Sequence, residues 1–204
     1  MLRVTDILAR IGEHSAIWGQ TGTGKTWLAR RLLLPRRYVQ IYDSKGFIDW
    51  PEYRLYTNLQ DVIYAREEKV IYRPTYDELQ NPETVNLYFS FIYARENTFC
   101  YVDEVPSISD ASKSPNAFLG CFQRGRERKI SMLAGSQRPV DIPKVIFTES
   151  KHYYIFRLTD DGDRKRISSN IPIKSEVLAN LRERQFIYFN FDDGLRGPFE
   201  IEDQ

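Results

Sequence analysis

One octapeptide constrains the fold of this chain more than any other segment: residues 19–26 read Gly-Gln-Thr-Gly-Thr-Gly-Lys-Thr. They match the pattern Gly-x4-Gly-Lys-Ser/Thr, in which glycines let successive backbone N–H groups turn inward on an anion. The apolar run at 14–19 predicts a strand before the loop, and 25–34 predicts a helix that stops at Pro35. A strand, a glycine-rich turn and a helix in this order predict a phosphate-binding loop.

The loop predicts a nucleotide site that takes ATP and Mg²⁺. Lys25 is expected to contact the β and γ phosphates, and the Thr26 hydroxyl to coordinate magnesium. The positive end of the helix that begins near Lys25 adds to the attraction for phosphate. The residues expected to bind the nucleotide are Gly19, Gln20, Thr21, Gly22, Thr23, Gly24, Lys25 and Thr26.

A second signal is the hydrophobic stretch Phe-Cys-Tyr-Val at 99–102, which ends in the adjacent carboxylates Asp103 and Glu104. Successive side chains on a strand point to opposite sides, so the two carboxylates are expected to do different work. We assign Asp103 to the magnesium shell. We assign Glu104 to orienting and deprotonating the water that attacks the γ-phosphate.

Two further segments carry polar groups suited to this chemistry. Gln137 follows a predicted strand, where its amide is expected to reach the γ-phosphate or the attacking water. The run at 123–129 is rich in arginine and ends a predicted helix, where cations also suit the helix dipole as a solvated face. At 100° per residue, Arg124 and Arg126 lie about 200° apart, so only one of them suits a neighbour's active site. Spacing alone leaves both candidates open.

Short apolar runs alternate with helical patterns along most of the chain, which indicates a parallel sheet covered by helices. The turn signals Asp193-Gly194 and Gly197-Pro198 predict that the last two strands pair antiparallel. Together with the phosphate-binding loop, this pattern resembles the α/β P-loop NTPase fold of the RecA/ASCE type. Its expected form is a three-layer αβα sandwich, with a mainly parallel sheet and antiparallel strands at the C-terminal end. Strands are predicted at 14–19, 38–43, 69–72, 98–102, 131–136, 153–158, 186–191 and 199–201, and helices at 25–34, from 81 onward, at 114–128 and at 177–181.

Composition limits the class of protein. The chain has 204 residues, of which 42% are hydrophobic and 28% charged, so it is expected to fold rather than remain disordered. The length predicts a single domain over 1–204, with a motif core at about 14–140 and a C-terminal extension at about 141–204. No apolar run approaches the ~20 residues of a membrane span, and two cysteines are too few for a disulfide scaffold. We expect a reducing compartment and no membrane insertion.

The motifs taken together resemble the HerA/FtsK superfamily of DNA-pumping ATPases, and within it the small viral genome-packaging ATPases. The resemblance is carried in order by the loop at 19–26, by Tyr-Asp-Ser-Lys-Gly at 42–46, by Tyr-Val-Asp-Glu at 101–104, and by Gly125-Arg126 followed by Ser-Gln-Arg-Pro at 136–139. It looks closest to the packaging ATPases of the Sulfolobus turreted icosahedral viruses. The resemblance implies that Gln137 is a sensor glutamine and that Arg126 completes a neighbouring subunit's site, with Arg124 as second choice.

The same resemblance implies partners. An arginine presented to a neighbour requires a homo-oligomeric ring, a hexamer or pentamer, with double-stranded DNA passing through its centre without sequence preference. A viral capsid or vertex protein is the implied docking partner, and the host cell cytoplasm or the virion is the implied location. Candidate DNA-facing segments are residues 45–54 and 106–113, both after strand ends where open α/β sheets gather ligands, although either could be a plain surface loop.

Weaker features favour ordinary structural interpretations. His14 and His152 show no spacing that indicates a metal site. Asp160, Asp161 and Asp163 surround Gly162 and predict a solvated turn.

Two other functions fit part of this pattern. A small-molecule kinase of the phosphate-loop type would use the arginine run as a lid, although the tandem carboxylates and Gln137 favour water as the nucleophile. A non-translocating assembly protein would bind ATP as a switch, and would have no need of the Glu104 base. A related motor that secretes filamentous phage or transfers DNA in conjugation shares the chemistry, but a membrane segment would be expected.

Overall fold

In the computed structural model, which describes residues 4–110 and 113–201, one nine-stranded sheet runs through this part of the chain. Its strands are β1 (His14–Trp18), β2 (Val39–Tyr42), β3 (Arg54–Tyr56), β4 (Lys69–Tyr72), β5 (Phe99–Val102), β6 (Ser131–Ser136), β7 (Ser150–Phe156), β8 (Gln185–Asn190) and β9 (Gly194–Glu200). They lie in the order β3-β4-β2-β5-β6-β1-β7-β8-β9. Neighbours from β3 to β7 pair parallel, whereas β7–β8 and β8–β9 pair antiparallel. The predicted fold class is confirmed.

Helices cover both faces of the sheet. The helix that follows β1 packs on one face, where Leu28 and Leu32 join a buried cluster with Trp50 of the loop after β2. The other helices that enter the core bury their apolar stripes on the opposite face, in a cluster that includes Phe89 and Phe122. The helices are α1 (Lys25–Leu33), α2 (Leu59–Tyr64), α3 (Tyr76–Gln80), α4 (Pro82–Arg95), α5 (Asn116–Arg124), α6 (Lys144–Glu149), α7 (Asp161–Ser168) and α8 (Ser175–Asn180).

Local sequence explains where α4 begins. The Asn81 side chain accepts hydrogen bonds from the backbone N–H groups of Glu83 and Thr84, and Pro82 occupies the first turn. Val85, Phe89 and Ile92 then recur at helical spacing and are buried, as the pattern predicted.

The strand order brings the motifs to one edge of the sheet. The central strands β2, β5, β6 and β1 are adjacent and parallel, so their carboxyl ends meet. In the register Trp18 pairs with Ser136, and Val102 pairs with both Ala134 and Tyr42. The residues that follow these strands therefore share one rim, where open α/β sheets bind their ligands.

The predicted helix at 114–128 is too long. The helix α5 ends at Arg124, and Gly125 leads into a separate 3₁₀ turn at Arg126–Arg128. A Cβ on Gly125 would lie 2.1 Å from the carbonyl oxygen of Cys121, so the chain passes too close for any other residue. Arg124 and Arg126 thus do not share one continuous helix, so the separation of about 200° expected for a single helix does not hold for them.

The solvated turn predicted at 160–163 is also wrong. Asp160 caps the helix α7, and its carboxylate accepts a hydrogen bond from the backbone N–H of Asp163. Asp163 is buried, accepts a hydrogen bond from Val140 N–H at 3.0 Å, and pairs with Arg138 at 3.0 Å. The acidic residues around Gly162 therefore form the N-terminus of the helix α7.

The remaining differences concern short elements. The strand β3 and the helices α2, α3 and α6 were not predicted, because each has only three to six residues and gives little periodicity. Gly197-Pro198 lies inside β9 rather than at a turn, and the hairpin turns before Gly194. Among the helices of residues 4–110 and 113–201, none has the length and hydropathy needed to cross a bilayer.

Candidate active site

The glycine-rich loop lies between β1 and α1, as the sequence predicted. Gly24 adopts φ 105°, a left-handed conformation, and its Cβ position lies 2.8 Å from Ile201 Cδ1. A Cβ on Gly19 would lie 2.5 Å from Cβ of Phe156. Side chains of the C-terminal strands thus close against the loop, and glycines are required there for packing as well as for backbone torsion.

Lys25 is buried at the mouth of this loop. Its ammonium donates to the carbonyl oxygens of Gly19 at 2.6 Å and Gln20 at 2.8 Å. Burial lowers the pKa of Lys25 to about 8, although Glu104 and Asp103 favour the charged form. The loop carbonyls therefore hold the Lys25 ammonium in place where it lines the cleft.

Asp103 lies directly beside the first turn of α1. Its Oδ1 is 3.5 Å from the Thr26 hydroxyl and accepts a hydrogen bond from the Tyr101 hydroxyl at 2.6 Å. Burial raises the pKa of Asp103, despite that hydrogen bond. A hydroxyl and a carboxylate oxygen are the hard donors that Mg²⁺ takes, with substrate phosphates completing its shell, so these two residues fit the metal.

Glu104 faces a different set of groups from Asp103, as alternation along the chain requires. Its Oε1 accepts hydrogen bonds from the Ser136 hydroxyl at 3.2 Å and from the backbone N–H of Gln137 at 3.1 Å. Its Oε2 accepts from the ammonium of Lys45 at 2.5 Å. The carboxylate is thus fixed at the rim by three donors from two neighbouring strand ends.

Gln137 connects the end of β6 to the phosphate-binding loop. Its side-chain oxygen accepts a hydrogen bond from the Thr21 hydroxyl at 2.8 Å, while its backbone N–H holds Glu104. These groups line one cleft of about 370 Å³, together with Thr26, Lys45 and Phe47. The cleft is large enough for the phosphates of a nucleotide.

The two candidate arginines do not belong to this cleft. Arg124 and Arg126 are exposed and come before β6, whereas Gln137 follows that strand. A strand of six residues spans about 20 Å, so both arginines lie at the opposite edge of the sheet from Lys25. Neither side chain hydrogen-bonds or pairs with any residue in the ranges 4–110 and 113–201.

Several residues of the site were not predicted to have a chemical role. Lys45 lies in a motif that carries the resemblance and in a candidate DNA-facing segment, but it was not expected in the cleft, which its ammonium enters. Asp43 is fully buried and organises the loop that carries Lys45. The one available signal was the Asp-Ser-Lys-Gly sequence that closes β2, because a strand end in this fold marks the ligand edge.

The candidate DNA-facing segment at 45–54 contains both buried and exposed side chains. In residues 45–54, Ile48, Trp50 and Tyr53 are buried in the core, whereas Phe47 is 84% exposed. Of residues 106–113, positions 111 and 112 lie outside the described residues. Phe47 is therefore the most exposed apolar side chain next to the cleft.

The two histidines lie at the other edge of the sheet. His14 Nδ1 accepts a hydrogen bond from Met132 N–H at 3.0 Å, and His152 lies 2.8 Å from both Glu13 and the Tyr188 hydroxyl. Within the described part of the chain, no group of three or more His, Cys, Asp or Glu side chains is arranged to hold a metal ion.

Comparison with known proteins identifies relatives. No protein-family model matches the chain. The DNA packaging ATPase P9 of Enterobacteria phage PRD1 is 32% identical over 175 residues, which cover 81% of this chain and 73% of P9.

Solved structures share the fold at lower identity. The genome packaging NTPase B204 of Sulfolobus turreted icosahedral virus 2, in complex with sulfate, superimposes with a TM-score of 0.76 at 14% identity, covering 96% of this chain and 100% of that one. VirB4 of Thermoanaerobacter pseudethanolicus gives a TM-score of 0.65 at 12% identity, with 90% of each chain covered. The sequence match to P9 and the shared fold agree with the resemblance inferred from the motifs, and the chain belongs to the family of viral DNA packaging ATPases that includes P9.

Proposed function

We propose that this chain is the ATP-hydrolysing motor that moves double-stranded viral DNA into a preformed capsid. The observation that carries the proposal is the position of Glu104, a carboxylate held by three donors at the rim of the cleft that contains Lys25. A fixed carboxylate at this point suits activation of water, which is the nucleophile that an ATPase uses and a kinase must exclude.

In this proposal the loop at 19–26 binds the phosphates of ATP through its backbone N–H groups and the α1 N-terminus. Lys25 contacts the β and γ phosphates, and its two carbonyl partners give way to phosphate oxygens. Thr26 and Asp103 would hold Mg²⁺, which when bound supplies charge neutralisation to the phosphates. Asp103 is buried beside Thr26, which supports this pairing.

Glu104 acts as the general base, and Gln137 acts as the sensor of the γ-phosphate. The hydrogen bond from Thr21 to Gln137 supports the sensor role, because it joins the phosphate-binding loop to the end of β6. A change at the phosphate would thus reach the strand whose other end follows α5 and the two arginines.

Arg126, or else Arg124, is proposed to complete the active site of the next subunit. The exposed position of both arginines at the far edge of the sheet supports action on a neighbour rather than on their own subunit. Such an arrangement requires a head-to-tail ring, a hexamer or pentamer, in which each interface contains one nucleotide.

The remaining parts of the proposal concern DNA and location. Duplex DNA would run through the ring and be gripped by its phosphates, so that transport does not depend on sequence. The ring would dock on a capsid or vertex protein in the host cell cytoplasm, and residues 1–204 would act as one ATPase domain. Membership in the packaging ATPase family supports these assignments.

The test is ATP turnover by the assembled protein with and without duplex DNA of random sequence. We expect DNA to raise turnover, and Glu104→Gln to abolish it while ATP binding persists. Transfer of phosphate to a nucleoside monophosphate would instead favour the kinase. Turnover near zero under both conditions would favour the assembly protein and reject the motor.

A further inference from the structure

The loop that carries Lys45 is built rigidly at the ligand edge of the sheet. Asp43, fully buried at the end of β2, accepts hydrogen bonds from the backbone N–H groups of Gly46, Phe47 and Ile48 at 2.9–3.2 Å. Arg73 donates to the same carboxylate at 3.0 Å and to the carbonyl of Ile48 at 2.9 Å. These bonds hold the backbone of the loop next to the cleft. The ammonium of Lys45 can therefore reach Glu104 without any movement of the backbone.

Lys45 reaches one of the groups that surround the expected γ-phosphate position. Its ammonium is 2.5 Å from Glu104 Oε2, and it lines the same cleft as Lys25 and Thr26. Its charge is near enough to Lys25 to contribute to the lowered pKa of that residue. An anion that binds in this cleft would therefore lie near two ammonium groups, those of Lys25 and Lys45.

We propose that Lys45 is a further ligand of the γ-phosphate, and that it occupies Glu104 until ATP arrives. In the structure it pairs with Glu104. When a triphosphate enters, the ammonium moves to the γ-phosphate oxygens and leaves Glu104 Oε2 open to accept a hydrogen bond from water. This inference rests on the proposed nucleotide site, and it concerns binding alone, without a covalent step.

Two properties favour the movement of the Lys45 ammonium from Glu104 to the γ-phosphate: the charge of the phosphate and the length of the lysine side chain. A γ-phosphate carries more negative charge than a carboxylate and offers three oxygens, so it competes well for an ammonium. The side chain of Lys45 is 31% exposed on a flexible four-carbon stem, which allows it to swing without moving the braced backbone. Glu104 keeps its two bonds from Ser136 and Gln137 N–H, so it remains in place when Lys45 leaves.

The proposal predicts selective recognition of triphosphate. ADP lacks the γ-phosphate and cannot recruit Lys45, whereas a non-hydrolysable ATP analogue can. Loss of the ammonium should then weaken analogue binding and spare ADP binding. If Lys45 only stabilised the fold, its substitution would weaken the binding of both nucleotides or of neither.

The experiment measures calorimetric affinities of the full chain for ADP and for the β,γ-methylene analogue of ATP, together with kcat and KM for ATP. Lys45→Met removes the charge at similar length, and Lys45→Arg retains it. Lys151→Met is the matched control, because Lys151 is also 31% exposed and also pairs with carboxylates, but at the opposite edge of the sheet.

We expect Lys45→Met to weaken analogue binding about tenfold or more with ADP affinity unchanged, and to lower kcat, because one charge-assisted contact is lost. Lys45→Arg should recover part of the analogue affinity, and Lys151→Met should alter neither nucleotide. Unchanged ADP binding shows that the variant site is folded. Equal weakening of both nucleotides, no change in either, or a higher kcat with normal analogue affinity would each overturn the proposal.

These results separate the inference from the proposed motor. If the native chain binds the analogue but DNA fails to stimulate turnover, the motor is rejected while the affinities still decide the role of Lys45. If the native chain binds neither nucleotide, both proposals fail.

Discussion

Arg126 and Gln137 lie at opposite ends of the same strand, β6. Gln137 follows the strand and joins the cleft through Thr21, whereas Arg126 precedes it by a single 3₁₀ turn and is exposed. The six residues between the two ends span about 20 Å. No rearrangement of a side chain brings Arg126 to the cleft of its own subunit, so any catalytic role for it must be played in a neighbour.

Mixing two inactive variants should therefore restore activity. Arg126→Ala retains an intact cleft, and Glu104→Gln retains an intact arginine. We expect each variant alone to lose most turnover, and an equal mixture to regain part of it. In a random head-to-tail ring, roughly a quarter of the interfaces then pair an intact cleft with an intact arginine. The measurement is ATP turnover against mixing ratio.

Arg124→Ala provides the comparison in the same mixing assay. If Arg124 is the residue that reaches the neighbour, Arg124→Ala will be inactive alone and rescued by Glu104→Gln, whereas Arg126→Ala will remain active by itself. Failure of every mixture to exceed its components would reject shared sites.

Glu104→Gln should separate binding from chemistry. The amide is close in size to the carboxylate, and its oxygen can still accept from Ser136 and Gln137 N–H, so the side chain keeps two of its three bonds and only the Lys45 ammonium loses its acceptor. Loss of a general base lowers kcat by about 10²–10⁴-fold. Affinity for ATPγS, measured by calorimetry, should stay within a few-fold of the native value. A variant that hydrolyses ATP at the native rate would remove Glu104 from the mechanism.

The contact between Thr21 and Gln137 gives a third prediction. Thr21→Val removes the hydroxyl that donates to Gln137 but keeps the side-chain shape. We expect kcat to fall several-fold with little change in KM, because the amide loses its fixed orientation. Thr21→Ser, which keeps the hydroxyl, is the matched control and should behave like the native chain. Equal kinetics of the Val and Ser variants would contradict a positioning role for this bond.

His14 gives a prediction on stability against pH. Burial lowers the pKa of His14 to about 4 in the folded chain, and the charge of Arg126 acts in the same direction. The unfolded chain binds this proton near the ordinary pKa of 6.5, so stability is fully present above pH 6.5 and is lost as the pH falls toward 4. The difference corresponds to roughly 3 kcal/mol of unfolding free energy.

The variant His14→Asn isolates this effect, because its amide oxygen can accept the hydrogen bond from Met132 N–H. Urea unfolding at neutral pH and at about pH 5 should show a smaller acid loss for His14→Asn than for the native chain. His152, whose pKa burial also lowers, remains in both proteins and does not contribute to the difference between them. Identical acid losses in the two proteins would contradict the assignment.

Local sequence determined the parts of this protein that lie within a few residues of one another. The glycines at 19 and 24 and the residue pair Lys25-Thr26 match a pattern that predicts a loop between a strand and a helix, and the loop lies between β1 and α1. The apolar run before Asp103 predicted a buried strand that ends in carboxylates, and the cap at Asn81 predicted a helix, and both are present. These features depend on periodicity and turn chemistry, which a single stretch of chain contains.

The tertiary structure decided which of these pieces meet. Lys45 and Glu104 are 59 residues apart and pair only because β2 lies beside β5. Phe156 and Ile201 close on the loop only because β7 lies next to β1 and β9 completes the hairpin. Strand order results from the packing of helices on both faces of the sheet, which is a property of the whole core and leaves no pattern in any one segment.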